Sequence, residues 1–232
     1  MIFLGFGALD MQSEHRNLLV AGAKTFGVHL NEENVAAFDL YLRELLKWNE
    51  KINLTAIRTE NGIIVKHFLD SLSVYPHVVE SSSLLDIGSG PGFPGIPLKI
   101  VTPDLEITLI DSVRKKVDFQ RHIIRTLGLK GIEAVHGCVQ ETGAVQKKMQ
   151  GRYDRVISRA FADLETFLRL GLPFLKKGGL ALVMKGRAAE KEIEMIVEMI
   201  GDGEKFPCRL REAVTLTLPL TSFRRTILLF EK

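Results

Sequence analysis

An acidic residue followed by three alternating glycines marks the segment 86–92, which reads DIGSGPG. Glycine lets a backbone turn tightly and approach a ligand closely. The apolar run Ser83–Ile87 leads into this turn and predicts a strand, and Gly95–Val101 beyond it predicts a helix. A strand, a glycine-rich turn and a helix in this order predict a nucleotide-type ligand site at the carboxyl end of the strand.

A second carboxylate follows the next predicted strand, which covers Leu105–Ile110 and ends at Asp111. There a carboxylate can accept hydrogen bonds from both ribose hydroxyls. Asp111 could instead only cap the helix that begins at Val113, and the two roles are compatible. Phe93 stands where a dinucleotide site needs its third glycine. The pattern therefore favours the Asp-x-Gly-x-Gly-x-Gly turn of S-adenosylmethionine-dependent methyltransferases.

Two parts of the chain must position these residues: a helical N-terminal part, and a later part in which strands and helices alternate. Residues before about 83 predict helices at Glu14–Phe26, from an Asn31 N-cap to about Asn49, and at Ile63–Val74. Later residues alternate between strands and helices. The further strands are predicted at Ile132–His136, Tyr153–Ser158, Gly179–Met184, Leu210–Leu218 and Arg225–Phe230, and the further helices at Val113–Leu127, Asp163–Leu170 and Ala188–Ile200.

Alternating strands and helices predict an α/β fold with a mostly parallel sheet. The last two strands have no helix between them, so one edge must be antiparallel. We expect a Rossmann-like, seven-stranded class I methyltransferase domain over residues 81–232. A small N-terminal helical lobe at 13–80 and a disordered extension at 1–12 precede it.

Composition is that of an ordinary globular protein: 232 residues, 46% hydrophobic, 25% charged and a net charge of +3. This mildly basic balance permits an acidic partner but does not require one. Cys138 and Cys208 lie far apart, so neither a metal site nor a disulfide framework is expected. The apolar start Met1–Leu9 is too short to span a bilayer and lacks the basic region of a signal peptide. We expect a cytoplasmic protein without a membrane partner.

Longer motifs extend over most of the chain. They are KWNEKINLT at 47–55, HFLDS at 67–71, the run from Leu85 to Pro97 with its GSGPGFPG core, LIDS at 109–112 and VISRAFA at 156–162. Lys185-Gly186 and Arg224-Arg225 match late positions, although Arg225-Thr226 stands where Arg-His is expected. Together these motifs resemble the small-subunit ribosomal RNA guanine-N7 methyltransferases, also called glucose-inhibited division protein B.

The resemblance implies S-adenosylmethionine as methyl donor, no metal, and methylation of one guanine at N7 in 16S ribosomal RNA. The partner would be that RNA or a 30S particle, and a monomer is expected. The turn and the resemblance together predict cofactor contacts at Asp86, Gly88, Gly90, Gly92, Phe93, Asp111, Ser112, Val139, Gln140 and Arg159. Gln140 could alternatively be a solvated residue of an ordinary surface loop.

Guanine N7 carries a lone pair and no proton, so methyl transfer needs neither a general base nor a covalent intermediate. Positioning and desolvation would suffice, with negative charges nearby to stabilise the guanine as it becomes positive. We name no certain catalytic residue. Arg159 is expected at the carboxyl end of the fourth strand, facing the cleft. His67 and Asp70 share a helix face at a spacing of three, where a structural role competes with substrate contact.

Small groups of basic residues recur along the chain, and each group alone is typical of a solvated face. Lys185, Arg187, Arg224 and Arg225 lie at predicted strand ends or in the final hairpin and are our candidates for RNA phosphate contact. Two other functions stay open. One is a methyltransferase of the same fold acting on a small molecule, and the other is a nucleotide-binding module or dehydrogenase, against which Phe93 argues.

Overall fold

The computed structural model describes residues 11–139, 144–159, 163–186, 193–196, 198 and 207–232. Its centre is one seven-stranded sheet in the order β3-β2-β1-β4-β5-β7-β6. Strands β1 to β5 run parallel, and β7 is antiparallel to both β5 and β6. The strands are Ser83–Ile87 (β1), Glu106–Asp111 (β2), Ile132–His136 (β3), Tyr153–Arg159 (β4), Leu175–Lys185 (β5), Arg209–Thr217 (β6) and Arg224–Glu231 (β7). The predicted fold class is confirmed.

The helices of the described residues cover both faces of this sheet. They are Ser13–Lys24 (α1), Glu32–Ile52 (α2), Glu60–Ile63 (α3), Asp70–Leu72 (α4), Gly95–Val101 (α5), Arg114–Thr126 (α6), Ala144–Met149 (α7) and Leu164–Gly171 (α8). Short 3₁₀ turns lie at Tyr75–His77 and Leu172–Phe174. Of the predicted helix at 188–200, only 193–196 and 198 are described, and these are helical. Helix α7 was not predicted.

Helix α2 begins where the sequence predicts. The Asn34 N–H donates to Asn31 Oδ1 at 2.8 Å, and the Asn34 side chain accepts from the Asn31 N–H at 3.2 Å. This reciprocal cap satisfies two free backbone donors, and Glu32 and Glu33 in the first turn suit the helix dipole. The helix runs three residues past the predicted end, to Ile52, and stops at Asn53, which has a φ of 42°.

The third predicted helix is not a single α-helix. Thr59 caps its start by accepting from the Gly62 N–H at 3.2 Å. After one turn the chain becomes π-helical over Ile64–Leu69 and returns to α-helix at Asp70–Leu72. The wider π turn carries His67, and π-helical turns of this kind occur often at functional sites.

Strand β5 also differs from its prediction. It begins at Leu175 instead of Gly179, and its pairing with β4 shifts between Leu175 and Leu180. Gly178 lies inside this irregularity with a φ of 76°. The Gly-Gly pair therefore forms a bulge within the strand and does not open it.

Two hydrophobic cores lie on the two faces of the sheet. Successive residues of β1 point to opposite faces, so Leu84 belongs to one core and Leu85 to the other. The first core also includes Leu19, Phe38 and Phe68 from the N-terminal helices. The predicted boundary near residue 80 therefore falls within a shared core, and the division into units stays a prediction. No helix of the described residues is long and apolar enough to cross a membrane.

The turn after β1 allows a test of close packing. A Cβ at Gly92 would meet Ile96 Cδ1 at 2.4 Å and the Tyr41 hydroxyl at 2.9 Å, at a φ of +107°. We expect Gly92→Ala to lower the free energy of unfolding by about 2–5 kcal/mol. Gly27→Ala is the control, because its φ is +78° and nothing lies within 4 Å of its Cβ. It should cost only about 1–2 kcal/mol. Urea denaturation measures both, and equal losses would contradict the packing argument.

Candidate active site

The glycine turn between β1 and α5 is held from three sides. Gly88, Gly90 and Gly92 have φ values of 69°, 58° and 107°, the left-handed region that favours glycine. The Gly88 N–H donates to Ile110 O on β2 at 2.9 Å. From α2 the Tyr41 hydroxyl donates to Pro91 O at 2.7 Å, and from α6 Gln120 Nε2 donates to Gly90 O at 2.6 Å. The turn is therefore preorganised.

Asp111 does not cap α6 directly, because the N-cap of that helix is Val113, but it holds the backbone just before the helix. It ends β2, and its Oδ1 accepts from the Val113 N–H at 2.8 Å. Its other oxygen accepts from the Gly90 N–H at 2.8 Å. Each carboxylate oxygen keeps a further lone pair, so a diol donor could still bind.

A cavity of about 200 Å³ opens beside Asp111. Gly88, Ser112 and Val139, all predicted cofactor contacts, also line it. Gln140 lies outside the described residues. Cys138 is a further lining residue that the sequence did not assign.

Asp86 lies beneath the turn, fully buried. Its Oδ2 accepts from the Gly95 N–H at 2.9 Å, whereas Oδ1 has no partner among the described residues. Burial raises the pKa of Asp86 to about 7, against the lowering effect of the Gly95 hydrogen bond and of Arg159. Asp86 was predicted as a cofactor contact, but it lines neither the cavity beside Asp111 nor the larger one next to it, and its described hydrogen bond is with Gly95.

The two predicted positioning residues His67 and Asp70 do meet Arg159. Arg159 Nη1 donates to Asp70 Oδ2 at 3.1 Å and to the Lys66 carbonyl at 3.0 Å, and Nη2 lies 3.0 Å from His67 Nδ1. On the other side, Arg225 donates to both oxygens of Asp70 at 2.6 Å. Asp70 is thus a fully buried anion between two guanidinium groups.

The contacts of His67 fix its protonation. A guanidinium only donates, so Nδ1 must accept from Arg159, and Nε2 then carries the hydrogen that Thr55 Oγ1 accepts at 2.8 Å. Burial and the positive charge of Arg159 lower the pKa of His67 to about 3. The neutral ring stacks on Phe93 with centroids 4.5 Å apart. With both nitrogens engaged, His67 has no lone pair free to act as a base.

A second cavity, of about 720 Å³, shares Gly88 and Lys116 with the first. Its basic lining residues are Lys66, Lys116, Arg159, Arg224 and Arg225. The predicted RNA residues Arg224 and Arg225 are therefore at the cleft, although Arg225 pairs with Asp70. Lys185 ends β5 half-buried and is not among the described lining residues, and Arg187 lies outside the described part of the chain.

Negative charge near the guanine stays a prediction, and the described lining of the larger cavity is basic, with Asp70 buried beneath it. Sequence reasoning missed Lys66, Lys116 and Phe223 as lining residues. An aromatic residue directly before two arginines was the available sequence signal for Phe223.

Neither cysteine supports covalent catalysis. Burial raises the pKa of Cys208 to about 11, which suppresses the reactive thiolate. Cys138 lines the smaller cavity, beyond β3, and not the larger one. Among the described residues no group of histidine, cysteine and acidic side chains could hold a metal ion.

The sheet order and the turn define the fold of class I S-adenosylmethionine-dependent methyltransferases. A solved structure of a SAM-dependent methyltransferase from Aquifex aeolicus superimposes with a TM-score of 0.55 at 15% identity, covering 72% of this chain and 92% of that one. At this level of identity, the superposition shows only that the two proteins share a fold.

Sequence comparison identifies the family. The family model described as rRNA small subunit methyltransferase G (GidB) matches residues 34–201. Ribosomal RNA small subunit methyltransferase G from Geotalea uraniireducens is 43% identical over 96% of this chain and 99% of its own length. The protein of that name from Geobacter metallireducens is 40% identical over 94% and 96%. The chain belongs to the rRNA small subunit methyltransferase G family.

The Arg159–Asp70–Arg225 cluster gives a stability prediction. Asp70→Asn removes the fully buried anion that pairs with two partly buried guanidinium groups, so we expect a loss of about 3–5 kcal/mol in the free energy of unfolding. Asp118→Asn is the control, because Asp118 is 48% exposed and lies 3.7 Å from Arg114. It should change the unfolding free energy by about 0–1 kcal/mol. Chemical denaturation at pH 7 tests this, and a neutral Asp70→Asn would contradict it.

Asp86 gives a pH prediction. The pKa of Asp86 is raised in the folded state, so between about pH 4 and about pH 7 the native protein holds a proton that the unfolded chain has released. The contribution of Asp86 to the free energy of unfolding therefore falls as the pH rises through this range. Asp86→Asn should therefore stabilise the ligand-free protein by about 2–4 kcal/mol above pH 7, and little at pH 4. Denaturation at both pH values measures it. A gain that does not grow with pH would refute this assignment.

Proposed function

We propose that this chain transfers a methyl group from S-adenosylmethionine to N7 of one guanine in 16S ribosomal RNA. The observation that carries the proposal is the pair of joined cavities. The smaller one ends on a carboxylate suited to a ribose, and the larger one is lined by cations suited to a polyanion. Membership of the rRNA small subunit methyltransferase G family supports RNA as the acceptor.

The residues present fit S-adenosylmethionine. Asp111 keeps lone pairs for the ribose hydroxyls, and Val139 with Gln140 would cover the adenine. We assign the ammonium group of the methionine moiety to the unpartnered Oδ1 of Asp86, which lies beneath the turn and outside both cavities and would have to become accessible when the cofactor binds. Arg159 uses three of its five N–H groups on Lys66, Asp70 and His67, which leaves two for a carboxylate.

The chemistry needs little from the protein beyond positioning. S-adenosylmethionine supplies an electrophilic methyl group on a sulfonium, and guanine N7 offers a lone pair with no proton to remove. His67 is neutral and engaged at both nitrogens, which fits a reaction without a general base. The preorganised turn and the buried Phe93 ring fix one reactant and exclude water from its site.

Basic residues at the cleft favour RNA over a small acceptor. Lys66, Lys116 and Arg224 line the larger cavity, and no ion pair engages Lys66 or Arg224 among the described residues. Such side chains contact phosphates and make binding salt-dependent. A small neutral substrate would not need them.

Methyl transfer provides the direct test. The purified protein is incubated with radiolabelled S-adenosylmethionine and either 16S RNA or 30S particles from cells that lack the protein, and the modified base is mapped. We expect label at N7 of one guanine, lost when that guanine is replaced by adenine. Label in small molecules alone would contradict the proposal, and the two substrates distinguish naked RNA from a particle.

Cofactor binding gives a second prediction. Asp111→Asn removes the charge that would hold the ribose, so we expect S-adenosylmethionine affinity to fall about 10- to 100-fold by calorimetry. Asp104→Asn, at an exposed site before the other end of β2, should bind like the wild type. NAD should not bind either protein. Unchanged affinity in Asp111→Asn would remove the ribose role.

A further inference from the structure

The loop between β6 and β7 exposes two large apolar side chains at the edge of the cleft. Leu220 is 84% exposed and Phe223 is 48% exposed, and these are two of the four exposed large hydrophobic residues in the described chain. Single exposed apolar residues are common on protein surfaces, so the position, order and charge surroundings of these two decide their meaning. Phe223 lines the larger cavity, whereas Leu220 lines a separate cavity between this loop and the helices α1 and α3.

The loop is ordered by its own hydrogen bonds. The Leu218 N–H donates to Phe223 O at 2.9 Å, closing the loop, and Thr221 Oγ1 donates to Leu218 O at 3.0 Å. The Phe223 N–H in turn donates to Thr221 Oγ1 at 3.2 Å. The apolar side chains are thus presented in a fixed geometry, which lowers the entropy cost of binding.

The backbone conformation of Leu220 is unfavourable for a residue of its size. Its φ is 58°, in the left-handed region that bulky residues rarely adopt. Its side chain is 84% exposed, so burial in the folded chain does not offset this strain. Strained, exposed apolar residues are expected where a partner contacts them.

The charged residues around the loop indicate which class of partner would bind there. The Lys66 ammonium lies 4.0 Å from the Phe223 ring centroid, and Arg224 beside it is exposed. An aromatic ring with adjacent cations suits single-stranded nucleic acid, because bases stack on the ring while phosphates meet the cations. An apolar protein surface would gain nothing from these cations.

We propose that Phe223 stacks on a nucleobase of the substrate RNA next to the target guanine, while Leu220 packs against the same strand. Phe223 lines the cavity with 48% of its surface exposed, whereas Phe93 of the same cavity is 2% exposed, so we assign Phe223 to a neighbouring base and not to the target guanine. This inference rests on the proposed function and deepens it by naming the surface that holds the RNA strand.

Kinetics with 30S particles from cells lacking the protein test it. Phe223→Ala should raise KM for the particle about 10-fold, with kcat within twofold and S-adenosylmethionine affinity unchanged. Phe223→Trp should restore KM, whereas Phe223→Leu should not, because it keeps apolar area without a stacking face. Val79→Ala is the control and should leave KM unchanged. Val79 is 40% exposed and precedes the amino end of β1, whereas the β6–β7 loop lies beside the carboxyl ends of the parallel strands.

Leu220→Asn supplies a second signature. Asparagine tolerates the left-handed region, so this variant should raise Tm while raising KM for the particle. An unchanged KM in Phe223→Ala, or full rescue by leucine, would overturn the stacking role while wild-type methylation stands. Failure of the wild type to methylate small-subunit RNA would instead remove the proposed function and this inference with it.

Discussion

The ionic contact between Asp70 and two arginines is the constraint on which the site depends. It joins α4, the end of β4 and the start of β7, and the paired residues Asp70 and Arg225 are 155 positions apart in sequence. A buried anion of this kind is costly unless its partners are in place. The N-terminal helices, the parallel strands and the antiparallel hairpin must therefore all be in place before Arg159 has its working orientation.

Local signals made much of the fold predictable. An apolar run that ends at Gly88 located β1 to the residue, and one between Gly131 and Gly137 located β3. Asn31 marked the start of α2, and all these features depend on neighbours in sequence. The π-helical turn at Ile64–Leu69 and the bulge in β5 were missed, because packing against distant elements decides them. The glycine turn and Asp111 could be recognised by spacing. The engagement of His67 at both nitrogens could not, because it requires Thr55 and Arg159 to meet.

At Asp86, the arrangement that would favour ligand binding lowers the stability of the ligand-free protein. A carboxylate without a partner for one oxygen is unfavourable in a dry interior, yet that free oxygen is what a cationic ligand needs. The basic lining of the larger cavity has the same character. Five cations converge there, and among the described residues Asp70 pairs with two of them and Asp111 with Lys116, which leaves Lys66 and Arg224 without an ion pair. Interactions that a ligand would complete are therefore left incomplete in the protein itself, which is typical of binding sites.

The hydrogen bond from the Tyr41 hydroxyl to the Pro91 carbonyl has a thermodynamic consequence. It ties the glycine turn to the middle of α2, and Tyr41 and His67 both stack on Phe93 at the turn's end. A ligand that binds only this arrangement of the turn also stabilises the helices attached to it. Amide hydrogens of α2, which lie outside both cavities, should therefore exchange with solvent more slowly once the turn is occupied.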